Sequence, residues 1–244
     1  MTAKWKRPRL SATALKLIAA AAMVFDHCGV LLVPEALWLR AVGRITFPVM
    51  AFFIAEGVRK TSNIRRYLAR LLLFAAASEI PFNLLNAQRV FYPYGQNIFF
   101  TLFLGAAAAA ALDRAQTRES GAVAALACCF ASELFCCDYG VLGTGLIVLI
   151  GLSPEEGPKR AVKPILAFAA VYVLFAIAAP RESGGGIRPA LTLACAAGAV
   201  PLLLCYDGTR GGGRRPVFAK YFFYLFYPLH ILALYACWFF WNHG

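Results

Sequence analysis

The sequence predicts an all-α, polytopic membrane protein, and three observations carry that expectation. Of 244 residues, 61% are hydrophobic and only 15% are charged, whereas a soluble domain is about half apolar and about a quarter charged. The apolar residues form nine long runs rather than amphipathic stripes, as helices surrounded by lipid require. The Lys and Arg residues behind the net charge of +12 cluster between alternate runs, which is a topological signature. An outer-membrane barrel is excluded, because its strands alternate in polarity and show no such runs.

In chain order, the first run is about Ala14–Val33, closed by Pro34 and Glu35. It exceeds the apolar core of a signal peptide, and no small-residue cleavage site follows it, so a retained first helix is expected. The second run is about Leu37–Val58, ended by the basic loop with Arg59, Lys60, Arg65 and Arg66. The third is about Tyr67–Leu85, the fourth about Asn97–Leu112, and the fifth about Gly121–Cys137. The sixth, about Gly140–Leu152, is short and must tilt little or be shielded by protein. The seventh, about Pro164–Ala179, and the eighth, about Pro189–Tyr206, flank a glycine loop, and a second glycine-rich loop leads to the ninth, about Val217–Trp241. The organisation expected is a basic cytoplasmic N-terminus (1–13), one transmembrane domain (14–241) and a short tail (242–244). Seven of the eight cysteines are scattered in apolar runs and Cys137 ends one, without metal-ligand spacing or a disulfide framework.

With the N-terminus in the cytoplasm, nine crossings put Lys4, Lys6, Arg7, Arg9, Arg59, Lys60, Arg65, Arg66, Arg114, Arg118, Lys159, Arg160, Lys163, Arg210, Arg214, Arg215 and Lys220 on one side. Arg40, Arg89, Arg181 and Arg188 remain on the other. This bias predicts N-in and C-out in a cell (inner or plasma) membrane. An eight-crossing chain would break the pattern downstream of the short sixth run. Nucleic acid is not an expected partner, because aromatic residues do not interleave with the basic loops as a stacking platform needs.

Ionisable groups inside spans are costly and mark functional positions. The first run holds Lys16, Asp26 and His27. Lys16 and His27 share a helix face, about 20° from eclipsed and roughly 16 Å apart along the axis. That pair suits a long acidic substrate gripped at one end, although a snorkelling lysine and a satisfied pore histidine fit equally. Arg44, Glu79, Asn83, Gln96, Asn97, Thr101, Asp138, Tyr139 and His230 fall at the same outer depth, so one polar cavity toward the outer face is expected. Each has a plainer reading. Arg44 with Asp26 or Glu79 can be a structural ion pair, Asn83 can satisfy a kink at Pro81, and Asn97 can cap the fourth helix. Adjacent helix positions diverge by about 100°, so Asp26 and His27 form no dyad, and Asp26 is expected to pair across to the second run. The same geometry argues against Cys28 as a nucleophile.

The pieces LKLIAAAAMVFDH, GRITFPVMAFFIAEG, RRYLARLLLFAAASEIPFN, QNIFFTLFLG, DYGVLG and KYFFYLFYPLH, in this order, resemble the TraX family, known from acetylation of conjugative pilin. They cover most of the chain from Leu15 to about His230; residues 153–215 carry no match. Asn83 stands where the family's SEIPFD-type motif has Asp, so this position supplies no carboxylate. Lys16 and His27 also look like the basic–histidine motif of acyltransferase family 3 membrane enzymes. That resemblance implies acetyl-coenzyme A entering from the cytoplasm as acyl donor and His27 as the catalytic histidine.

Acetyl transfer needs a base for the acceptor proton, donors for the oxyanion and cations for the coenzyme phosphates. The expected catalytic set is His27, Asp26, Arg44, His230, Glu79 and Asn97, with Arg44, Asn97 or Gln96 as the oxyanion donor. The expected coenzyme-binding set is Lys16, Arg65, Arg66 and Arg70, and no metal is expected. No Ser or Cys is placed as a covalent nucleophile, which favours direct transfer. The acceptor is an amine or hydroxyl on an exported protein or glycan. The rival readings are a small solute or ion transporter, which would show inverted repeats, and a non-catalytic assembly factor, which would favour a groove of small residues.

Overall fold

The computed structural model describes residues 9–180, 186–211 and 216–243. The expected positions of Lys4, Lys6, Arg7, Arg181, Arg214 and Arg215 lie outside the described residues, as does the side chain of Lys220. The described chain is helical, and its only β-type pairings are two isolated bridges, Leu10 with Tyr206 and Gln96 with Cys137. The helices are α1 (Ala12–Leu31), α2 (Leu37–Gly43), α3 (Thr46–Lys60), α4 (Ile64–Ala87), α5 (Ile98–Arg114), α6 (Arg118–Leu134), α7 (Gly140–Leu152), α8 (Val162–Ala178), α9 (Ile187–Ala194), α10 (Ala199–Leu204) and α11 (Pro216–His243).

Six segments are long and apolar enough to cross a membrane: Ala12–Leu31, Leu37–Lys60, Ile64–Ala87, Gly157–Ala178, Ile187–Leu204 and Tyr221–His243. The protein is therefore a multi-pass membrane protein. Helices α5 and α6, with 17 residues each, and α7, with 13, are shorter. The outer surface is apolar: Val123, Leu126, Phe130 and Leu134 form one exposed face of α6. Water would not tolerate such a continuous face, and acyl chains do.

Two runs read as single helices are interrupted. The second breaks at Arg44 and Ile45. Pro48 has no N–H to give the Arg44 carbonyl, so the helix restarts with proline in its first turn, where it is tolerated. The eighth run passes through a 3-10 turn, Cys195–Gly198, between α9 and α10. There Pro201 cannot donate to Ala197, and the tighter turn absorbs the missing bond.

Helices α1, α3, α5, α4 and α11 contact one another in a closed ring, α6 and α7 cover α5, and α8 and α9 pack together beside them. One contiguous core runs through this ring, from Leu15 and Ala19 through Phe52, Leu71 and Ala106 to Ile231. The basic ends gather at one pole. Arg114, ending α5, donates to the Val58 and Thr61 carbonyls at the end of α3 (3.0 and 3.2 Å). Arg160 reaches Glu56 of α3 at 3.7 Å. The loop after α10 is tied to the start of α1 by Leu10 N–H to Cys205 C=O, Ala12 N–H to Thr209 C=O and Thr13 N–H to Arg210 C=O, at 2.8–3.1 Å.

Candidate functional site

The five-helix ring encloses a cavity of about 800 Å³ that runs from the basic pole to the opposite pole. Its wall is apolar and aromatic in the middle, with Phe53, Leu71, Phe99, Leu102 and Tyr227, and polar at both ends. Pockets of this kind, with a few polar groups fixed at defined points, are where small ligands bind.

At the basic pole the lining cations are Lys16, Lys60, Arg70 and Arg210. Lys60 is paired with Glu56. Lys16 has no carboxylate partner among the described residues; its Nζ lies over the rings of Phe53 and Phe223, 4.9 and 5.7 Å from their centroids. Arg70 leaves its buried Nε without a hydrogen-bond partner among the described residues. Among the described residues no acidic side chain lines this half of the cavity. The loop carbonyl of Arg210 accepts from Thr13 Oγ1 at 2.8 Å, which pins that residue beside the first turn of α1.

At the opposite pole Asp26 is clamped between two guanidiniums. Its Oδ2 accepts from Arg40 Nη1 at 3.0 Å and its Oδ1 from Arg44 Nη2 at 2.9 Å. Asp26 therefore pairs across to the second run, as its helix geometry requires. A Cβ on Gly43 would overlap the Asp26 side chain, so the missing side chain is what lets α2 come this close. Arg44 Nη1 donates onward to the Tyr139 hydroxyl at 3.2 Å.

Tyr139 sits in the left-handed region (φ 63°) at the start of α7, a conformation that costs an L-residue about 1–2 kcal/mol. Its ring stacks on Phe47 (4.2 Å, 9°), and Tyr172 donates to its carbonyl at 3.4 Å. A side chain on Gly143 would press on the Tyr139 Cβ. Packing imposed from so many sides holds the strained residue, and strain of this type collects at functional sites. Asp138, in the link between α6 and α7, lines the same end. Burial pushes its carboxyl up to about 6, against the opposing pull of the Arg44 guanidinium.

His27 lines the cavity one position beyond Asp26, and His230 of α11 stands behind it. His27 Nδ1 and His230 Nε2 are 2.7 Å apart, and His230 Nδ1 is 2.7 Å from the Phe226 carbonyl. Thus His27, Asp26, Arg44 and His230 come together as a group.

Glu79 and Asn97 do not join them. Neither lines the cavity. Asn97 caps α5, its Oδ1 accepting from Phe99 N–H at 3.0 Å. Its amide donates to Ala75 C=O (2.8 Å) and Glu79 (2.6 Å), so the pair fastens α4 to α5. Gln96 is likewise spent, donating to Pro93 C=O at 3.2 Å and bridging to Cys136 and Asp138 through its backbone. Asn83 is buried and donates to Val90 C=O at 3.4 Å, away from the cavity. Of the expected oxyanion donors only Arg44 faces the void. Of the expected phosphate ligands Lys16 and Arg70 line it, whereas Arg65 and Arg66 are exposed outside it. Arg40 and Arg210 are the site residues that sequence reasoning missed. Arg40 stands one helical turn before Arg44, a spacing legible in the sequence, whereas nothing local marks Arg210.

Among the described residues no group of three His, Cys, Asp or Glu side chains is arranged to hold a metal ion. The family model described as "TraX protein" matches residues 11–237 of this chain. A Dichelobacter nodosus protein, "Probable fimbrial assembly protein FimC, serogroup H1", is 30% identical over 242 residues, spanning 92% of this chain and 94% of that protein. No solved structure matches the chain.

Proposed function

The chain belongs to the TraX family, and from that premise we propose that it is an integral-membrane acetyltransferase. It moves an acetyl group from acetyl-coenzyme A to an amine or hydroxyl of an exported acceptor, such as a pilin N-terminus. The observation that carries this reading is one cavity with a cluster of cations at one end, among them Lys16 without a carboxylate partner among the described residues, and His27 at the other. It joins the pole where a cytoplasmic phosphorylated donor would be held to the pole that an exported acceptor would approach.

The topology that goes with it has nine crossings, with α2–α3 and α9–α10 each counted once and α5, α6 and α7 as short spans shielded by neighbours. The basic pole faces the cytoplasm of the inner membrane, by the positive-inside bias. Lys16, Arg70 and Arg210 hold the coenzyme phosphates. The absence of acidic groups from that half of the lining and the unpartnered Arg70 Nε support the fit. The pantetheine arm then lies along the aromatic midsection and brings the thioester to His27.

His27 takes the proton from the acceptor as its nitrogen or oxygen attacks the thioester carbonyl. The oxyanion is met by the Arg44 guanidinium, with Arg40 beside it and Asp26 holding both in place. Collapse breaks the carbon–sulfur bond, and the departing thiolate recovers the proton from His27. The acetyl group has then crossed from sulfur to nitrogen or oxygen without an acyl-enzyme. In α1, which begins at Ala12, His27 lies about 22 Å along a span of about 30 Å, so the two substrates meet past the midplane.

The test uses inside-out membrane vesicles given acetyl-labelled coenzyme A, with intact-mass comparison of pilins and surface glycans from wild-type and deletion cells. An acetyl group that depends on the protein identifies the acceptor. Assembly of pili that proceeds with unchanged masses would favour the non-catalytic assembly role suggested by the name of the Dichelobacter nodosus relative.

A further inference from the structure

We infer that His230 is a positioning residue that fixes the tautomer of His27 and leaves His27 Nε2 as the free base. The inference deepens the acetyltransferase reading and rests on it for the role of His27.

The argument follows the protons outward from the backbone. The Phe226 carbonyl can only accept, so the 2.7 Å contact requires a proton on His230 Nδ1. A neutral His230 then offers a lone pair at Nε2. Neutral it must be, because Phe226 stacks on its ring (4.7 Å, 13°) and no carboxylate pairs with it among the described residues. His27 Nδ1, 2.7 Å away, must therefore carry the proton and donate.

Ring geometry agrees. The planes of the two imidazoles are within 5° of parallel, with centroids 4.9 Å apart. Stacked faces approach no closer than about 3.5 Å, so a nitrogen–nitrogen distance of 2.7 Å places the rings edge to edge, the arrangement of an in-plane hydrogen bond. His27 Nε2 makes no hydrogen bond to a described residue, and His27, unlike His230, lines the cavity. The lone pair is thus on the ring edge turned away from His230. When His27 accepts the acceptor proton at Nε2, its Nδ1–H bond to His230 remains and stabilises the imidazolium. An orienting partner on the far nitrogen is how a histidine base is usually held; here a second histidine, itself set by a backbone carbonyl, takes the place of a carboxylate.

The chain has three histidines, so the tautomers are readable. The full-length protein, carrying His243→Gln to clear the tail signal, is labelled with nitrogen-15 histidine and its ring nitrogens are read by NMR in lipid nanodiscs. Both remaining rings are expected neutral with the proton on Nδ1. His230→Gln keeps an acceptor, so it should retain that His27 tautomer and acetylation within about tenfold of wild type. His230→Leu removes the acceptor at similar volume. It should release His27 to the other tautomer and lower kcat on the order of a hundredfold or more, with KM for acetyl-coenzyme A held. A wild-type His27 protonated on Nε2, or equal losses in the Gln and Leu variants, would overturn the inference. The expected tautomers in a protein that transfers no acetyl group would sink the acetyltransferase reading and leave the His230 assignment intact.

Discussion

Gly43 and Asp26 touch so closely that no side chain fits on the glycine. The contact belongs to two helices that run against each other, and it decides where the Asp26 carboxylate meets Arg40 and Arg44. A Gly43→Ala substitution should therefore separate α1 from α2, at a cost of about 1–3 kcal/mol for overpacking. Thermal unfolding in detergent checks this. Gly145→Ala, where a Cβ inside α7 meets open space, is the control that should not lower the midpoint, since alanine favours the helix.

His27→Ala removes the proposed base without removing the cations at the other pole. Turnover should fall on the order of a hundredfold or more, while coenzyme binding and the unfolding midpoint stay near wild type. Acetylation in membranes at the wild-type rate would make His27 structural. His243→Ala, on the exposed end of α11, should change nothing.

The donor end makes a different prediction, in which position rather than charge decides. Lys16→Ala and Arg210→Ala should weaken acetyl-coenzyme A binding, each by about 1 kcal/mol or more if a phosphate contact is lost. Arg65→Ala and Arg66→Ala remove equal charge from exposed positions outside the cavity and should leave binding unchanged. Titration by thermal shift resolves the difference, because ligand stabilisation tracks affinity. Equal effects at all four sites would mean that diffuse charge, not a site, attracts the coenzyme.

Topology is testable with reporters alone. Fusions after Ser62 and Gly212 should report cytoplasm, and a fusion after Gly185 the outside. Agreement of Gly185 with Gly212 would remove one crossing and with it the assignment of the basic pole to one compartment.

Much of this architecture was legible because lipid imposes a one-dimensional code. Runs set where helices lie, and the seventh helix begins and ends at Gly140 and Leu152 as its apolar run does. Breaks were harder, since Pro48 and Pro201 permit a helix in their first turn while uncoupling it from what precedes. A common expected depth grouped Asp26, His27, Arg44 and His230, and Asp26 does meet Arg44 and His27 does meet His230, but depth does not say which way a side chain faces. That is why Glu79 and Asn97, at the same level, proved to be a clasp between α4 and α5. Arg40 was counted only among the charges of the outer side, although it lies in the second run to which Asp26 was expected to pair. Arg210 reaches the cavity only through a loop docked on α1, a tertiary fact without a local signal.

The clamp on Asp26 yields the sharpest energetic test. The carboxylate and Arg44 are largely buried, with side chains 15% and 13% exposed, so removing one member leaves charge that neither water nor a partner compensates. Asp26→Ala strands two guanidiniums together and should cost about 3–5 kcal/mol, the range for breaking a buried pair. Arg44→Ala should cost less, because Arg40 still faces the carboxylate at 3.0 Å. Adding Arg44→Ala to Asp26→Ala should then recover part of the loss, since one stranded cation disappears. A double-mutant cycle on unfolding midpoints measures that coupling. Additive losses would mean that lipid headgroups or water already neutralise these guanidiniums, in which case Asp26 does not hold Arg44 in place for the oxyanion.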